Sequence, residues 1–202
     1  MSEADPLNTA GSGRRRPARE RLLEAAARRF YADGVAATGI DTITAEAGVA
    51  KMSLYNNFSS KADLVRAYLD ARHEEWLVLY RTRLERARGP REGVLAVFDA
   101  YADHAAFAYD HGFRGCGLLN AAAELPAGDE GRAVVRAHKE EVERLIAGHL
   151  EELLPGRPEQ ARALAEHLAF LLEGAMARAG LEGGADRLHH ARSLAATLLD
   201  RP

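Results

Sequence analysis

One short segment of the sequence, residues 51–58, is rich in hydrogen-bonding side chains and poor in side chains that can be buried. It reads KMSLYNNF. If the segment is helical, Leu54 and Phe58 lie within about 40° of each other and face inward, while Asn56 lies on the far side. A helix with so narrow an apolar stripe presents its polar groups to a partner outside its own fold.

The residue types on that helix match the chemistry of double-stranded DNA. An asparagine amide can bond the N6 and N7 edge of adenine, and a lysine can meet guanine or phosphate. Hydroxyl groups can bond phosphate oxygens, and a methionine can touch a thymine methyl group. An ordinary solvated helix face has the same composition, so the composition alone leaves both readings open. The predicted DNA contacts on this helix are Lys51, Met52, Ser53, Tyr55, Asn56 and Asn57.

The elements that would position this helix are two further helices and a glycine. Apolar residues recur at helical spacing from Arg19 to Ala32, and a second short pattern covers residues 40–47. Gly48 then closes the second helix, and residues 51–58 follow at once. Two short helices joined by a glycine turn and braced by a first helix form a helix-turn-helix unit.

Charge and cap residues around the unit add to the predicted DNA contacts. Residues 14–66 hold ten Lys and Arg against six Asp and Glu, whereas residues 67–202 hold seventeen against twenty-two. A basic front suits a polyanionic partner. We expect residues 1–18 to be a disordered basic arm that follows the DNA backbone. The further predicted phosphate or groove contacts are Arg14, Arg15, Arg16, Thr38 and Lys61.

Residues 19–69 resemble the TetR family of transcriptional repressors. The resemblance lies in a helix that ends RRFYADGV, in Thr38, in the AEAGVAK turn and in LYNNFSSKADL. It implies that residues 51–57 enter the major groove and that Tyr55 and Lys61 bind phosphates. Met52, Thr44, Ala50 and Asn56 depart from the usual residues, so the operator sequence is not readable. The family further implies a homodimer that binds a DNA operator and a small-molecule effector.

The rest of the chain is predicted to be helical as well. Ala, Leu, Glu and Arg dominate the sequence, and no run of alternating β-branched residues indicates a strand. We therefore predict an all-α fold of about nine helices. The helix-turn-helix domain would cover residues 19–60, and an effector-binding and dimerisation domain would cover 61–202. The later helices are predicted at about 61–87, 91–110, 118–125, 129–154, 158–180 and 185–200.

Dimerisation is required because one helix-turn-helix unit binds DNA weakly and two units one DNA turn apart bind well. The apolar stripes of the last two helices favour them as the interface. An alternative is that these stripes only cover the domain's own core. The predicted interface residues are Leu164, Leu168, Leu171, Leu172, Ala175, Met176, Leu188, Leu194 and Leu198.

An effector pocket is predicted among the helices of the second domain, where aromatic and polar residues gather. Cys116, Asn120 and Glu124 recur every four residues and so share one helix face. A single cysteine near Arg114 also suggests an alternative function, a redox or electrophile sensor that acts through Cys116. A packed thiol explains the same residue. The predicted pocket residues are Trp76, Tyr80, Phe98, Tyr101, Phe113, Cys116, Asn120, Glu124 and Phe170.

Several classes of protein are not indicated by the sequence. The eight histidines follow no metal-ligand spacing, and no nucleophile triad, phosphate loop or carboxylate pair indicates an enzyme. We expect no cofactor and no metal. The chain has no apolar run long enough for a membrane span, and one cysteine suits a reducing compartment, so we expect a cytoplasmic protein.

Overall fold

The computed structural model describes residues 17–107 and 112–200, and within these ranges the chain forms nine α-helices and no strand. The predicted all-α class is confirmed. Arg14, Arg15 and Arg16 lie outside the described residues. The helices are α1 (Ala18–Asp33), α2 (Ile40–Ala47), α3 (Lys51–Asn57), α4 (Lys61–Leu84), α5 (Pro90–Ala105), α6 (Gly117–Glu124), α7 (Glu130–Leu153), α8 (Pro158–Glu182) and α9 (Asp186–Leu199).

Helices α1 to α3 form a small unit around side chains with no solvent exposure, among them Leu22, Ile43 and Leu54. Gly48 ends α2 in the left-handed conformation, at φ 60° and ψ 43°, which a residue with a side chain adopts at a cost. Arg21 then donates to the carbonyl oxygens of Ala47 at 2.9 Å and Gly48 at 3.1 Å. The guanidinium of α1 therefore caps the C-terminus of α2 and fixes the turn before α3.

A carboxylate on α2 reinforces the same packing. Glu46 accepts hydrogen bonds from Arg28 Nε at 2.6 Å and from Arg29 Nε. Both guanidinium groups lower the pKa of Glu46, although its partial burial opposes them. The carboxylate is therefore ionised at neutral pH and holds α1 and α2 together.

Helix α4 leads directly out of this unit. Ser60 caps α4 by accepting from the Asp63 amide at 3.0 Å, and the Asp63 carboxylate accepts from the Ser59 amide at 3.0 Å. Asp63 thus takes the third position of the helix, where a capping box has glutamate, but its carboxylate bonds the amide before the capping residue Ser60. The Phe30 and Tyr68 rings meet edge to face at 5.4 Å and join α1 to α4.

Helices α4, α5, α7, α8 and α9 form a bundle, and α6 lies at the end of it that meets α1. Phe98 of α5 and Ile146 of α7 are fully buried in its core. No helix in residues 17–107 or 112–200 is long and apolar enough to cross a bilayer.

The segment before α6 packs very closely on α8. A Cβ atom added at Gly180 would lie 2.7 Å from the Gly115 Cα atom, so two glycines let the backbones approach. This contact presses residues 113–117 onto the bundle.

Replacing Gly180 with alanine should destabilise the fold. The added methyl group meets backbone, which cannot move aside like a side chain, and we expect a cost of about 1–3 kcal/mol. Gly148 of α7 has open space around its Cα, so Gly148→Ala should instead stabilise by roughly 0.5–1 kcal/mol. Thermal unfolding measures both variants, and equal melting temperatures would contradict the close approach.

Candidate functional site

Helix α3 turns one face inward and leaves the other open. Leu54 and Phe58 are buried against the unit's core, whereas the side chains of Met52 and Tyr55 are 69% and 48% exposed. Lys51 and Asn56 are also exposed, and Ser53 and Asn57 are half-buried. A row of donors, acceptors and one thioether thus faces away from the protein along the length of α3.

Two of these side chains already have partners within the unit. Lys51 Nζ lies 2.8 Å from a carboxylate oxygen of Asp41, and that hydrogen bond raises the pKa of Lys51. Asn57 donates to the Ser53 carbonyl oxygen at 2.7 Å. Met52, Tyr55 and Asn56 are therefore the most accessible groups for a partner outside the fold.

Thr38 is placed differently from its prediction as a phosphate contact. Its side chain is 2% exposed, and its hydroxyl donates to the Gly34 carbonyl oxygen at 2.6 Å. The hydroxyl proton is therefore used to close the loop between α1 and α2 and does not face solvent. Lys61 is half-buried at the first position of α4, beside the capping residue Ser60, and its phosphate contact stays a prediction.

A small buried cavity of about 20 Å³ lies where α1, α4, α5, α6 and α7 meet. Three of the predicted pocket residues, Trp76, Tyr101 and Cys116, line it. A space of this size holds roughly one water molecule. The sequence did not indicate its other lining residues, which come from separate helices: Tyr31, Arg72, His104, Gly117, Leu118 and His138.

Unpaired donors distinguish this cavity from an ordinary packing gap. The Trp76 indole nitrogen and the Arg72 Nε atom are buried and have no hydrogen-bond partner in the described part of the chain. Burial lowers the pKa of His138 to about 2, so that ring stays neutral. Buried donors of this kind are normally satisfied by water or by a ligand. The cavity wall is therefore able to donate to an acceptor-bearing molecule.

A lysine stands behind the cavity wall. Lys139 Nζ lies 3.3 Å from the Tyr101 hydroxyl, 3.6 Å from Cys116 Sγ and 2.8 Å from a Glu173 carboxylate oxygen. Burial lowers the pKa of Lys139, but its interactions with Cys116, Tyr101 and Glu173 outweigh burial and hold that pKa well above the ordinary value. The lysine is therefore charged and paired.

The remaining predicted pocket residues lie elsewhere. Phe98 and Phe113 are buried but do not line the cavity, and the Tyr80 hydroxyl shares a hydrogen bond with His149 Nε2 at 2.7 Å. Phe170 is 65% exposed on the outer side of α8. Its assignment to an internal pocket was wrong, because that side of α8 faces solvent.

The predicted polar stripe of α6 bonds backbone atoms. Asn120 donates to the Arg114 carbonyl oxygen at 3.0 Å. Glu124 accepts from the amides of Val35 at 3.1 Å and Ala36 at 2.7 Å. Neither side chain lines the cavity. Both instead connect the segment around α6 to itself and to the loop between α1 and α2.

The predicted dimer stripe on α8 faces mainly into the protomer. Leu168, Leu172 and Met176 are buried in its own core, as is Leu188 of α9. These four residues are therefore corrected to core residues, because a partner chain cannot reach them. Leu164, Leu171 and Ala175 are half-buried against that core. Leu194 and Leu198 of α9 remain exposed.

A second apolar stripe of α8 points outward. Phe170 and Leu181, the latter 85% exposed, share this face with the exposed small residues Ala163, Gly174 and Ala177. Their intervals of seven, four, three and four residues place them on one side of the helix, and this set is called the seam below. The exposed Leu194 and Leu198 lie on the neighbouring helix α9.

A helix-turn-helix unit with an exposed third helix, set on a separate helical bundle, defines a DNA-binding regulator fold. The family model of bacterial regulatory proteins, tetR family, matches residues 22–68. The crystal structure of SCO4454, a TetR-family transcriptional regulator from Streptomyces coelicolor, has a TM-score of 0.78 and 33% identity, over 91% of this chain and 96% of that chain. The chain belongs to the TetR family of transcriptional regulators.

Further relatives agree with this assignment. A putative TetR transcriptional regulator (sav143) from Streptomyces avermitilis has a TM-score of 0.74 and 32% identity, over 91% of this chain and 96% of its own. The HTH-type transcriptional regulator TtgR of Pseudomonas putida is 46% identical over 56 residues. That match spans 28% of this chain and only 27% of the length of TtgR.

Two variants of α3 should separate backbone contact from base reading. Tyr55→Ala should weaken binding to every duplex alike, because a phosphate contact carries no sequence information. Asn56→Ala should lose about 1–3 kcal/mol at particular base pairs only. Competition binding across single-base variants of a selected duplex measures both. Val78→Ala, at an exposed position of α4, is the control, and a uniform loss for Asn56→Ala would contradict its reading role.

Proposed function

We propose that the protein is a homodimeric repressor that binds an operator through α3 and releases it when a small molecule occupies the cavity. The observation that supports the DNA-binding step is the division of α3 into a fully buried apolar side and an exposed polar side. Major-groove helices of helix-turn-helix proteins have this division. Lys61 at the start of α4 adds a cation beside the same surface.

The outward seam of α8 with the exposed leucines of α9 supports the homodimer. Phe170 and Leu181 project from α8, and the small residues between them permit close approach of a second helix. Leu194 and Leu198 are exposed leucines on α9, the helix that packs beside α8. A two-fold pairing of these helices would bury all four side chains and set two copies of α3 at a fixed distance.

The salt dependence of binding and variants at the interface together test the proposed DNA binding and dimerisation. Binding to an operator duplex should weaken steeply as salt rises, because phosphate contacts release counterions. Leu194→Glu with Leu198→Glu should produce a monomer in sedimentation velocity and lower operator affinity by roughly 100-fold or more, since one half-site remains. Val78→Glu, at an exposed apolar position outside the seam, should change neither. A dimeric double variant would exclude this interface.

The walls of the cavity support an effector that acts on the DNA-binding unit. Tyr31 of α1 lines the cavity, and its hydroxyl accepts from the Arg114 amide at 2.6 Å and donates to the Gly115 carbonyl oxygen at 3.1 Å. Arg72 and Trp76 belong to α4, which leads out of the same unit. An occupant of the cavity therefore contacts the brace helix and the connecting helix at once.

The size of the cavity sets how such an effector acts. About 20 Å³ does not admit an organic molecule. The effector must therefore bind a more open state, and it shifts the population only through its greater affinity for that state. Movement of the wall formed by residues 116–118 would open the cavity, and Glu124, at the other end of the same helix α6, bonds the loop between α1 and α2.

The alternative function, a sensor that reacts at Cys116, has weaker support. The cysteine is 8% exposed and lies in the cavity wall beside Lys139. A reactive sensor thiol is normally accessible to its oxidant or electrophile. The buried position favours Cys116 as part of the wall.

Trp76 is the only tryptophan of the chain, so its fluorescence reports on the cavity. In a panel of non-fluorescent acceptor-bearing compounds such as cyclohexanol and cyclohexanone, a compound that changes Trp76 emission should also release the operator. Leu118→Phe fills the cavity and should weaken that compound's binding by roughly tenfold or more. Leu119→Phe, at the exposed neighbouring position, should leave it unchanged. Equal binding by both variants would place the effector elsewhere.

A further inference from the structure

We propose that Glu124 is a positioning residue that sets the orientation of the helix-turn-helix unit relative to the bundle, and so sets the spacing of operator half-sites that the dimer accepts. The inference rests on the proposed operator binding. It concerns a carboxylate outside the reading helix, on the last turn of α6, that reaches across to the loop between α1 and α2.

The geometry of this contact is that of a two-pronged clamp. One carboxylate oxygen accepts from the Val35 amide at 3.1 Å, and the other accepts from the Ala36 amide at 2.7 Å. Both oxygens are used, so the carboxylate fixes the direction of the loop as well as its distance. Hydrogen bonds to a charged acceptor are stronger than neutral ones.

The loop is shaped to receive the carboxylate. A Cβ atom at Gly34 would lie 2.7 Å from Glu124 Oε1, and Gly34 has φ 94°, a backbone conformation that side chains disfavour. Thr38 then closes the same loop through its bond to the Gly34 carbonyl oxygen. A glycine and a buried hydroxyl therefore hold two amides in position for one carboxylate.

A second tie comes from the other end of the same segment. Arg114 Nη1 donates to the carbonyl oxygens of Tyr31, at 2.9 Å, and Ala32. Residues 114–124 thus bond the C-terminal end of α1 through carbonyl oxygens of α1. The same residues bond the following loop through two of its amides. Residues 116–118, between these two sets of bonds, line the cavity.

The junction beyond these ties is open. A groove of about 630 Å³ separates the loop and the start of α4 from the start of α7, and Glu124 lies in its wall. Side chains of the core therefore do not fill this side of the junction. The clamp limits how far the reading unit can tilt about its connection to α4.

Two substitutions at Glu124 and one control variant separate the effect of side-chain length from the effect of charge. Glu124→Asp keeps the charge but shortens the side chain by one methylene group, and Glu124→Gln keeps the length but replaces one acceptor with a donor. Glu130→Gln is the control, because Glu130 lines the same groove and bonds neither loop amide. Removing the charge of Glu130 should strengthen DNA binding slightly, whereas loss of the Glu124 hydrogen bonds should weaken it.

The experiment uses full-length protein and duplexes that the wild type selects from a random-sequence library. The selected duplex is compared with versions carrying one base pair more or fewer between half-sites, which moves them by about 3.4 Å and rotates them by roughly 35°. Both Glu124 variants should bind the selected duplex about three- to tenfold more weakly and lose most of their preference for its spacing. Amide exchange at Val35 and Ala36 should accelerate by a similar factor.

Each outcome decides a separate point. A wild type that selects no duplex would overturn the proposed function itself. A wild type that discriminates spacing, with Glu124 variants that discriminate equally well, would overturn the positioning role. Faster exchange at the two amides with unchanged spacing preference would reduce Glu124 to a local loop contact, which also overturns it. A Glu130→Gln variant that also loses its spacing preference would show that the preference does not depend on the Glu124 hydrogen bonds, which overturns the positioning role as well.

Discussion

The burial of Leu54 and Phe58 beneath α3 is the constraint on which the DNA-binding surface depends. Because these two side chains are buried in the core of the unit, the rotation of α3 about its axis is fixed. The directions of its remaining side chains follow from that rotation. Arg21 of α1 bonds the C-terminal end of α2, and Glu46 of α2 bonds arginines of α1. These bonds hold the two helices together as one body. Under the proposed function, the effector would change the position of α3 relative to the bundle and leave the helix itself unchanged.

Helix α1 is the point where the two parts of the protein meet. Its Phe30 packs on Tyr68 of α4, and its Tyr31 reaches the cavity and the segment before α6. The same short segment carries the cavity wall and the bonds to the α1–α2 loop. The proposed coupling between an occupant of the cavity and the orientation of α3 would therefore act through a few contacting residues, with no long pathway required.

Helix α8 shows how an apolar pattern can be read correctly and assigned to the wrong surface. Its larger stripe, with Leu168, Leu172 and Met176, covers the protomer's own core, while a smaller stripe with Phe170 and Leu181 points outward. Both stripes have helical spacing, and the pattern by itself does not say which one meets a neighbour within the chain. The larger, more leucine-rich stripe goes to the core because that interior offers the most apolar area.

The sequence by itself determined the all-α class, the positions of the helices to within a few residues, and the inward and outward sides of α3. These features depend on local periodicity, on caps such as Ser60 and on the glycine turn at Gly48, which are encoded within one or two helical turns. Only the tertiary structure decided that Thr38 closes a loop and that Glu124 clamps two amides of the α1–α2 loop. Such roles depend on partners far away along the chain, and no local pattern encodes the distance between them.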